Sequence, residues 1–172
     1  KEENVKGNFF ILSNLICKNK DLVQRMIDDN HVVANHTSKH KDITKFEKIE
    51  EFKEELEKLE NLYENEFGCK MGKFFRPPEG KFNEQSLKWA KELGYKTVFW
   101  YGGFGSWQNY RNFCLQQSFD EFHCADEFKY IGGNAWGGPD RALFEEINKY
   151  VAKQGDEKVF HFELCWNVSS SF

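Results

Sequence analysis

The sequence has no apolar run of about 18 residues or more, the length a membrane-spanning helix requires, so no span is expected. It has no close pair of cysteines either. Cys17, Cys69, Cys114, Cys124 and Cys165 make an odd number with no CxxC spacing, which argues against both a zinc knuckle and a disulfide framework. There is no excess of basic residues. The 24 Lys and Arg against 28 Asp and Glu leave a net charge of −4, and nothing in that balance favours nucleic acid, whose binding needs a basic footprint. No internal repeat or low-complexity segment stands out. The first residues, KEENVKGNFF, lack an initiator Met and show no signal peptide, which fits a processed or excised piece of a longer chain.

What the sequence has is an ordinary folded composition over 172 residues: 40 % hydrophobic and 30 % charged. That length suits a single domain, 1–172, with a sizeable core. Aromatics reach 17 %, with 18 Phe. A large core is the favoured reading, and a sugar-stacking cleft is the other.

Hydrophobic periodicity orders the chain. Val5 to Leu12 reads as a buried strand, and Asn19 offers a cap for the helical pattern KDLVQRMIDDN. His31 to Ala34 is a short second strand. Thr44 is the expected cap of a long helix. There Phe46, Ile49, Phe52, Leu56, Leu59, Tyr63 and Phe67 form one face, Glu and Lys form a solvated other face, and Gly68 is the stop. Lys73 to Arg76 is a third strand closed by Pro77 and Pro78. Asn83 caps EQSLKWAKEL, Gly94 ends it, and Thr97 to Trp100 is a fourth strand. The fold class is therefore α/β, and the four strands are expected to be parallel neighbours in a sheet or barrel with helices outside. After Trp100 the pattern loosens through YGGFGSWQNYRNF and IGGNAWGGPD. A helix from about Arg141 to Lys153 and a strand, KVFHFEL, close the chain.

Active sites of parallel α/β folds lie at the C-terminal ends of the strands. Three polar clusters fall there: NHTSKH after the second strand, RPPEG after the third and YGGFGSW after the fourth. His36 and His40 have the i, i+4 spacing that turns two imidazoles toward one metal. Exposed or capping histidines are the other reading, and the position in a loop without apolar partners leaves the two level. Thr37 and Ser38 suit local backbone capping. Arg76 stands at the mouth of a turn stiffened by two prolines and relaxed by Gly80. Such a turn suits orienting a carboxylate or aiming a backbone N–H at an oxyanion, and a plain stiff connection is equally open.

HTSKH followed by a strand-borne RPPEG, with a long helix between, resembles the NodB-homology polysaccharide deacetylases, carbohydrate esterase family four. FFRPPEGKFNEQSLKWAKELGYKTVFW is especially similar to the branch that removes acetyl groups from muramic acid residues of peptidoglycan. The resemblance runs from Val5 to Trp100, and the tail from about 101 reads as diverged. It implies a distorted (β/α) barrel, incomplete here at the N-terminus, and a divalent metal, zinc first with cobalt or manganese as alternatives. The metal would be held by His36, His40 and an Asp. It also implies a second Asp, from an upstream TFDD motif, as general base, with Arg76 orienting that base. A backbone N–H near Glu79 would hold the oxyanion. A late histidine would protonate the leaving amine, and His161 fits that context better than His123. The implied partner is a polysaccharide, peptidoglycan or chitin oligomers, met outside the cell or in the cell wall if the full-length protein carries an export signal.

The TFDD motif is absent, and the chain opens at what resembles the family's second strand. Asp28 and Asp29 read as solvated charges, and Ser106 stands where the family's fourth motif has Asp. The expected function is metal-dependent de-N-acetylation of a cell-wall polysaccharide. The alternative is a diverged or truncated deacetylase-like domain that binds glycan without hydrolysing it.

Overall fold

The computed structural model describes residues 7–117, 119–129, 132–153 and 158–164. Strand β1 (Asn8–Ile11) leads into α1 (Ser13–Lys18) and α2 (Lys20–Asp28), then β2 (Val32–Asn35), α3 (Ile49–Phe67) and β3 (Gly72–Phe75). Next come α4 (Glu84–Glu92), β4 (Tyr95–Tyr101), α5 (Tyr110–Gln116), β5 (Glu121–Cys124), α6 (Asp140–Lys153) and β6 (Lys158–Leu164). Val5 and Lys6, expected in the first strand, lie outside the described residues. No helix among the described residues is long and apolar enough to cross a membrane.

Among the described residues, the six strands are parallel and lie in one sheet, in the order β1-β2-β3-β6-β4-β5. The parallel α/β architecture is the one expected, but one adjacency is not. β3 and β4 are separated by β6, which pairs along its whole length with β4, from Tyr95↔Lys158 to Tyr101↔Leu164. It meets β3 at Phe74↔Val159 and Phe75↔Phe160. The residues after Tyr101, which read as diverged, thus complete the same sheet.

Side-chain alternation explains the layers. Phe75, Phe99, Tyr101 and Phe160 face α3, α4 and α5, and form the largest core cluster with Phe52, Leu87 and Phe122. Their strand neighbours Phe74, Val98, Trp100 and Val159 face the opposite way, onto Leu143 and Ile147 of α6. Runs such as YKTVFWY are apolar on both sides because both faces of the sheet are covered.

Local punctuation follows the sequence in part. Gly68 ends α3 at φ 67°, and its N–H bonds to the Glu64 carbonyl. Asn83 caps α4 in a reciprocal box: its Oδ1 accepts from the Ser86 N–H at 2.8 Å, and Ser86 Oγ accepts from the Asn83 N–H at 2.9 Å. Asn83→Ala is expected to cost about 1 kcal/mol of stability, read as a shifted midpoint in urea unfolding. Two expected caps differ. Thr44 lies inside a 3-10 turn, Ile43–Lys45, whose cap is Asp42. Asp42 Oδ1 takes both the Thr44 N–H, at 3.0 Å, and its hydroxyl, at 2.6 Å. The long helix starts later, at Ile49, with Glu50 and Glu51 in its first turn where the helix dipole favours acidic side chains. Asn19 makes no side-chain cap and instead joins α1 to α2.

Candidate active site

A cleft of about 540 Å³ is lined by the first residues of β1, by residues just past the C-terminal ends of β2 and β3, and by the later part of β6. Residues from four strands meet there. Phe10 of β1, His36 just past β2, Arg76 just past β3, and His161 and Glu163 of β6 line it together. His36, Arg76 and His161, expected at the site, are brought to one cleft. Glu79 and Gly80 line it too, through the RPPEG turn. The third polar cluster does not join them. The 102–107 loop packs instead on the 134–138 loop, with Gly103 bridged to Gly137. A Cβ on Gly137 would lie 2.3 Å from the Gly102 carbonyl oxygen, so that approach requires glycine.

The histidine loop is anchored on α3. Asn35 Oδ1 accepts from the Thr37 N–H at 2.8 Å, and Asn35 Nδ2 donates to the Leu56 carbonyl at 3.0 Å. The Ser38 N–H bonds to the Glu55 carbonyl, and the Lys39 N–H to Glu55 Oε2 at 3.0 Å. Glu55 is buried, and Lys41 Nζ pairs with it at 2.8 Å. The polar face of α3 is therefore not all solvated: this carboxylate holds the loop. Asn35 and Glu55 escaped the sequence reading because Asn at a strand end and Glu in a charged helix are unremarkable until their partners are known.

Thr37 and His40 both sit at positive φ, 69° and 57°, and the His40 N–H closes onto Thr37 Oγ1 at 3.0 Å. This coil turns the two imidazoles edge to face, with ring centroids 4.9 Å apart. His36 Nδ1 lies 2.8 Å from the Arg76 carbonyl oxygen. A carbonyl only accepts, so Nδ1 carries the proton and Nε2 keeps a free lone pair. Burial, above all, holds the His36 pKa below its usual value, favouring the neutral form.

Arg76 is fixed from two sides. Its N–H bonds to the Asn35 carbonyl at 3.0 Å, and its guanidinium lies over the Phe10 ring at 5.8 Å. Nη2 reaches Glu163 Oε2 at 3.0 Å. Glu163 is buried, its side chain 5 % exposed, and burial raises its pKa while Arg76 opposes the rise. Sequence reasoning missed Glu163, although its two-residue spacing from His161 on a strand signals a shared face. Glu79, at φ 55°, is exposed, and its ion pair with Lys81 at 2.6 Å holds its carboxyl low. The Gly80 and Lys81 N–H groups close the turn onto the Pro77 and Pro78 carbonyls.

His161 is 1 % exposed, at the bottom of the cleft. The Trp100 indole N–H donates to its Nδ1 at 3.0 Å, so the ring proton sits on Nε2. That Nε2 is buried with no hydrogen-bond partner. Burial pushes the His161 pKa down to about 3, so the ring is neutral at physiological pH. His123, the other late histidine, stacks on Trp100 and is held by Glu121 and Glu127. It does not line the cleft.

A divalent ion fits this donor set in part. Zn–N bonds are about 2.1 Å, and rings 4.9 Å apart let one nitrogen of each reach a common ion. A ligating histidine whose other nitrogen bonds a carbonyl is the usual arrangement, and His36 has it. Among the described residues, however, no three His, Cys, Asp or Glu side chains cluster to hold a metal. Zinc is therefore expected to bind weakly. Replacing both His36 and His40 by Ala is expected to lower affinity by more than the roughly 10–100-fold that an outer-sphere change costs. Calorimetric titration checks this, and equal binding by both proteins would remove the pair from consideration.

The chain is similar to known proteins in sequence and in fold. Residues 1–98 match the family model for polysaccharide deacetylases. The chain is 33 % identical over 108 residues to the peptidoglycan-N-acetylmuramic acid deacetylase PdaA of Bacillus subtilis, covering 63 % of this chain and 41 % of that protein. It is 35 % identical over 100 residues to a peptidoglycan-N-acetylglucosamine deacetylase of Bacillus cereus, covering 58 % and 36 % respectively. The chain thus spans about two fifths of the length of the curated relatives it matches. Among solved structures, that of Bacillus subtilis PdaA, a family 4 carbohydrate esterase, superposes with a TM-score of 0.53 at 22 % identity, over 94 % of this chain and 68 % of that one. A family 4 carbohydrate esterase from Bacillus anthracis gives 0.52 at 25 %, over 88 % and 63 %. With a family model matched over more than half its length and the histidine loop and RPPEG turn meeting at one cleft, the chain belongs to the polysaccharide deacetylase family.

Proposed function

We propose that this chain takes an N-acetylated cell-wall polysaccharide, peptidoglycan or a chitin-like glycan, into the His36–Arg76–His161 cleft and hydrolyses its acetamide. The carrying observation is that these three residues, from three separate strands, line one cleft. The relatives named as peptidoglycan deacetylases supply the substrate class. A peptidoglycan substrate would put the working protein outside the cytoplasm.

In this reading His36 and His40 hold a divalent ion, zinc first, through their free nitrogens. When bound, that ion supplies Lewis acidity toward the acetyl carbonyl. Arg76 orients a carboxylate in the cleft. The backbone N–H of Glu79 faces the oxyanion, since the Gly80 and Lys81 amides are committed to their turn. His161 takes the part of the late histidine, offering Nε2–H on the leaving-group side. The ring is neutral, so what it offers is a hydrogen bond rather than an imidazolium proton.

One observation favours the second reading, glycan binding without hydrolysis: two histidines with no third metal ligand among the described residues. Acetate release from chitooligosaccharides and from peptidoglycan fragments, with added zinc or cobalt, separates the two. Metal-stimulated release lost in the His36→Ala, His40→Ala variant supports deacetylation. Oligosaccharide binding with no release supports the second reading.

A further inference from the structure

Acetamide hydrolysis needs a group to take a proton from the attacking water and a source of protons for the departing nitrogen. His161, held neutral with a single ring proton, supplies the second poorly and the first not at all. Among the described residues, the carboxylates lining the cleft are Glu79 and Glu163. Glu79 is exposed and engaged by Lys81. Asp126 and Asp140 do not line it. Asp126 Oδ2 is occupied by the Gly105 N–H and the Cys124 thiol, and Asp140 opens α6.

Glu163 differs from all of these. It is the buried carboxylate of the cleft, and Arg76 Nη2 grips one oxygen, Oε2. A carboxylate held by one oxygen keeps its other oxygen for a second partner. Two residues before it, on the same strand face, His161 leaves a buried Nε2–H unanswered. Side chains at i and i+2 on a strand stand about 6–7 Å apart. That gap admits a small planar group contacted from both sides, a hydrogen-bond donor at one edge and a proton acceptor at the other.

Resting on the deacetylase reading above, we infer that Glu163 is the proton-accepting carboxylate of this cleft, with Arg76 as its positioning residue and His161 Nε2–H as a hydrogen-bond donor to the bound acetamide. Glu163 Oε1 takes a proton from the water as the water oxygen bonds to the acetyl carbon. The C–N bond then breaks, the nitrogen recovers that proton from Glu163, and acetate and a free amine leave. Water is the only co-reactant consumed. Burial raises the pKa of this carboxyl above its ordinary value, against the opposing Arg76 charge, so activity is expected to rise with pH through a limb above the ordinary carboxylate range.

The test is acetate release from chitotetraose with added zinc by the wild-type chain, Glu163→Gln and Glu163→Asp, alongside calorimetric binding of the same sugar and circular dichroism of each protein. Glu163→Gln is expected to lose about 10²–10⁴-fold in kcat with sugar affinity unchanged, and to lose the acid limb of the pH profile. Glu163→Asp, which shortens the reach, is expected to retain part of the rate with that limb displaced. It stands as the measurement if the Gln variant does not fold. Release by either folded variant within about threefold of wild type, with an unmoved pH limb, overturns Glu163 as base and leaves the deacetylase reading intact. Sugar binding with no acetate from the wild-type chain overturns both.

Discussion

Arg76→Met is expected to destabilise the fold by about 3 kcal/mol near pH 8 and by far less near pH 5. Breaking a buried ion pair from one side costs about 3–5 kcal/mol, because the remaining charge stays buried without its partner. Glu163 is that charge, with 5 % of its side chain exposed, while Arg76 is 40 % exposed. Water that reaches the guanidinium also reaches part of the carboxylate, which puts the effect at the lower end of that range. The pH dependence follows from direction. Burial holds the folded carboxyl's pKa above its unfolded value, and Arg76 limits the rise. Stability from such a group is fully present below the unfolded pKa and is lost as pH rises through the folded one. Removing Arg76 removes the limit, so the loss deepens at high pH. His161 acts in the same direction, since Arg76 also disfavours its charged form and the variant protonates it more readily in acid. Urea unfolding at the two pH values measures the effect. Adding Glu163→Gln to Arg76→Met should restore most of the loss at pH 8. A loss equal at both pH values would assign it to packing of the guanidinium on Phe10 instead.

Phe99→Ala is expected to cost about 3–5 kcal/mol, enough to leave a domain of ordinary stability partly unfolded at 37 °C. Phe99 is buried at the centre of an aromatic cluster. Its ring stacks on Phe122 at 5.6 Å, meets Phe119 edge-on at 5.2 Å, and lies 4.6 Å from Phe162 and 5.9 Å from Tyr110. Four rings that converge on one side chain cannot all move in to fill its volume, so most of the cavity persists. Phe162 also lines the cleft and precedes Glu163, so the change reaches the site through β6. Phe99→Leu keeps most of the volume and is expected to cost about 1.5 kcal/mol or less. Thermal and urea unfolding of the two variants measure the difference. Equal costs would mean that the cluster repacks freely.

The sequence by itself determined what local chemistry decides. The proline-stiffened turn behind Arg76, the left-handed Gly68 that ends α3 and the Asn83 cap are each written within a few residues, and each holds. The pattern in KVFHFEL marked a strand bearing His161, and the strand period of two, which also sets Glu163 on that face, went unused. The pattern did not say which strands lie beside it. Only the tertiary structure placed β6 between β3 and β4, since pairing partners in a parallel sheet are chosen by long-range packing and the covered strands of such a sheet are apolar on both sides. The contacts that depend on that placement were equally hidden. The Trp100 indole settles the His161 tautomer from 61 positions away. Arg76 meets Glu163 across β3 and β6. Glu55, one carboxylate in a helix full of them, becomes a buried anchor because the histidine loop folds onto it. In each case the residue types were visible, and the burial and partners that give them a role arise from chain segments far apart in sequence.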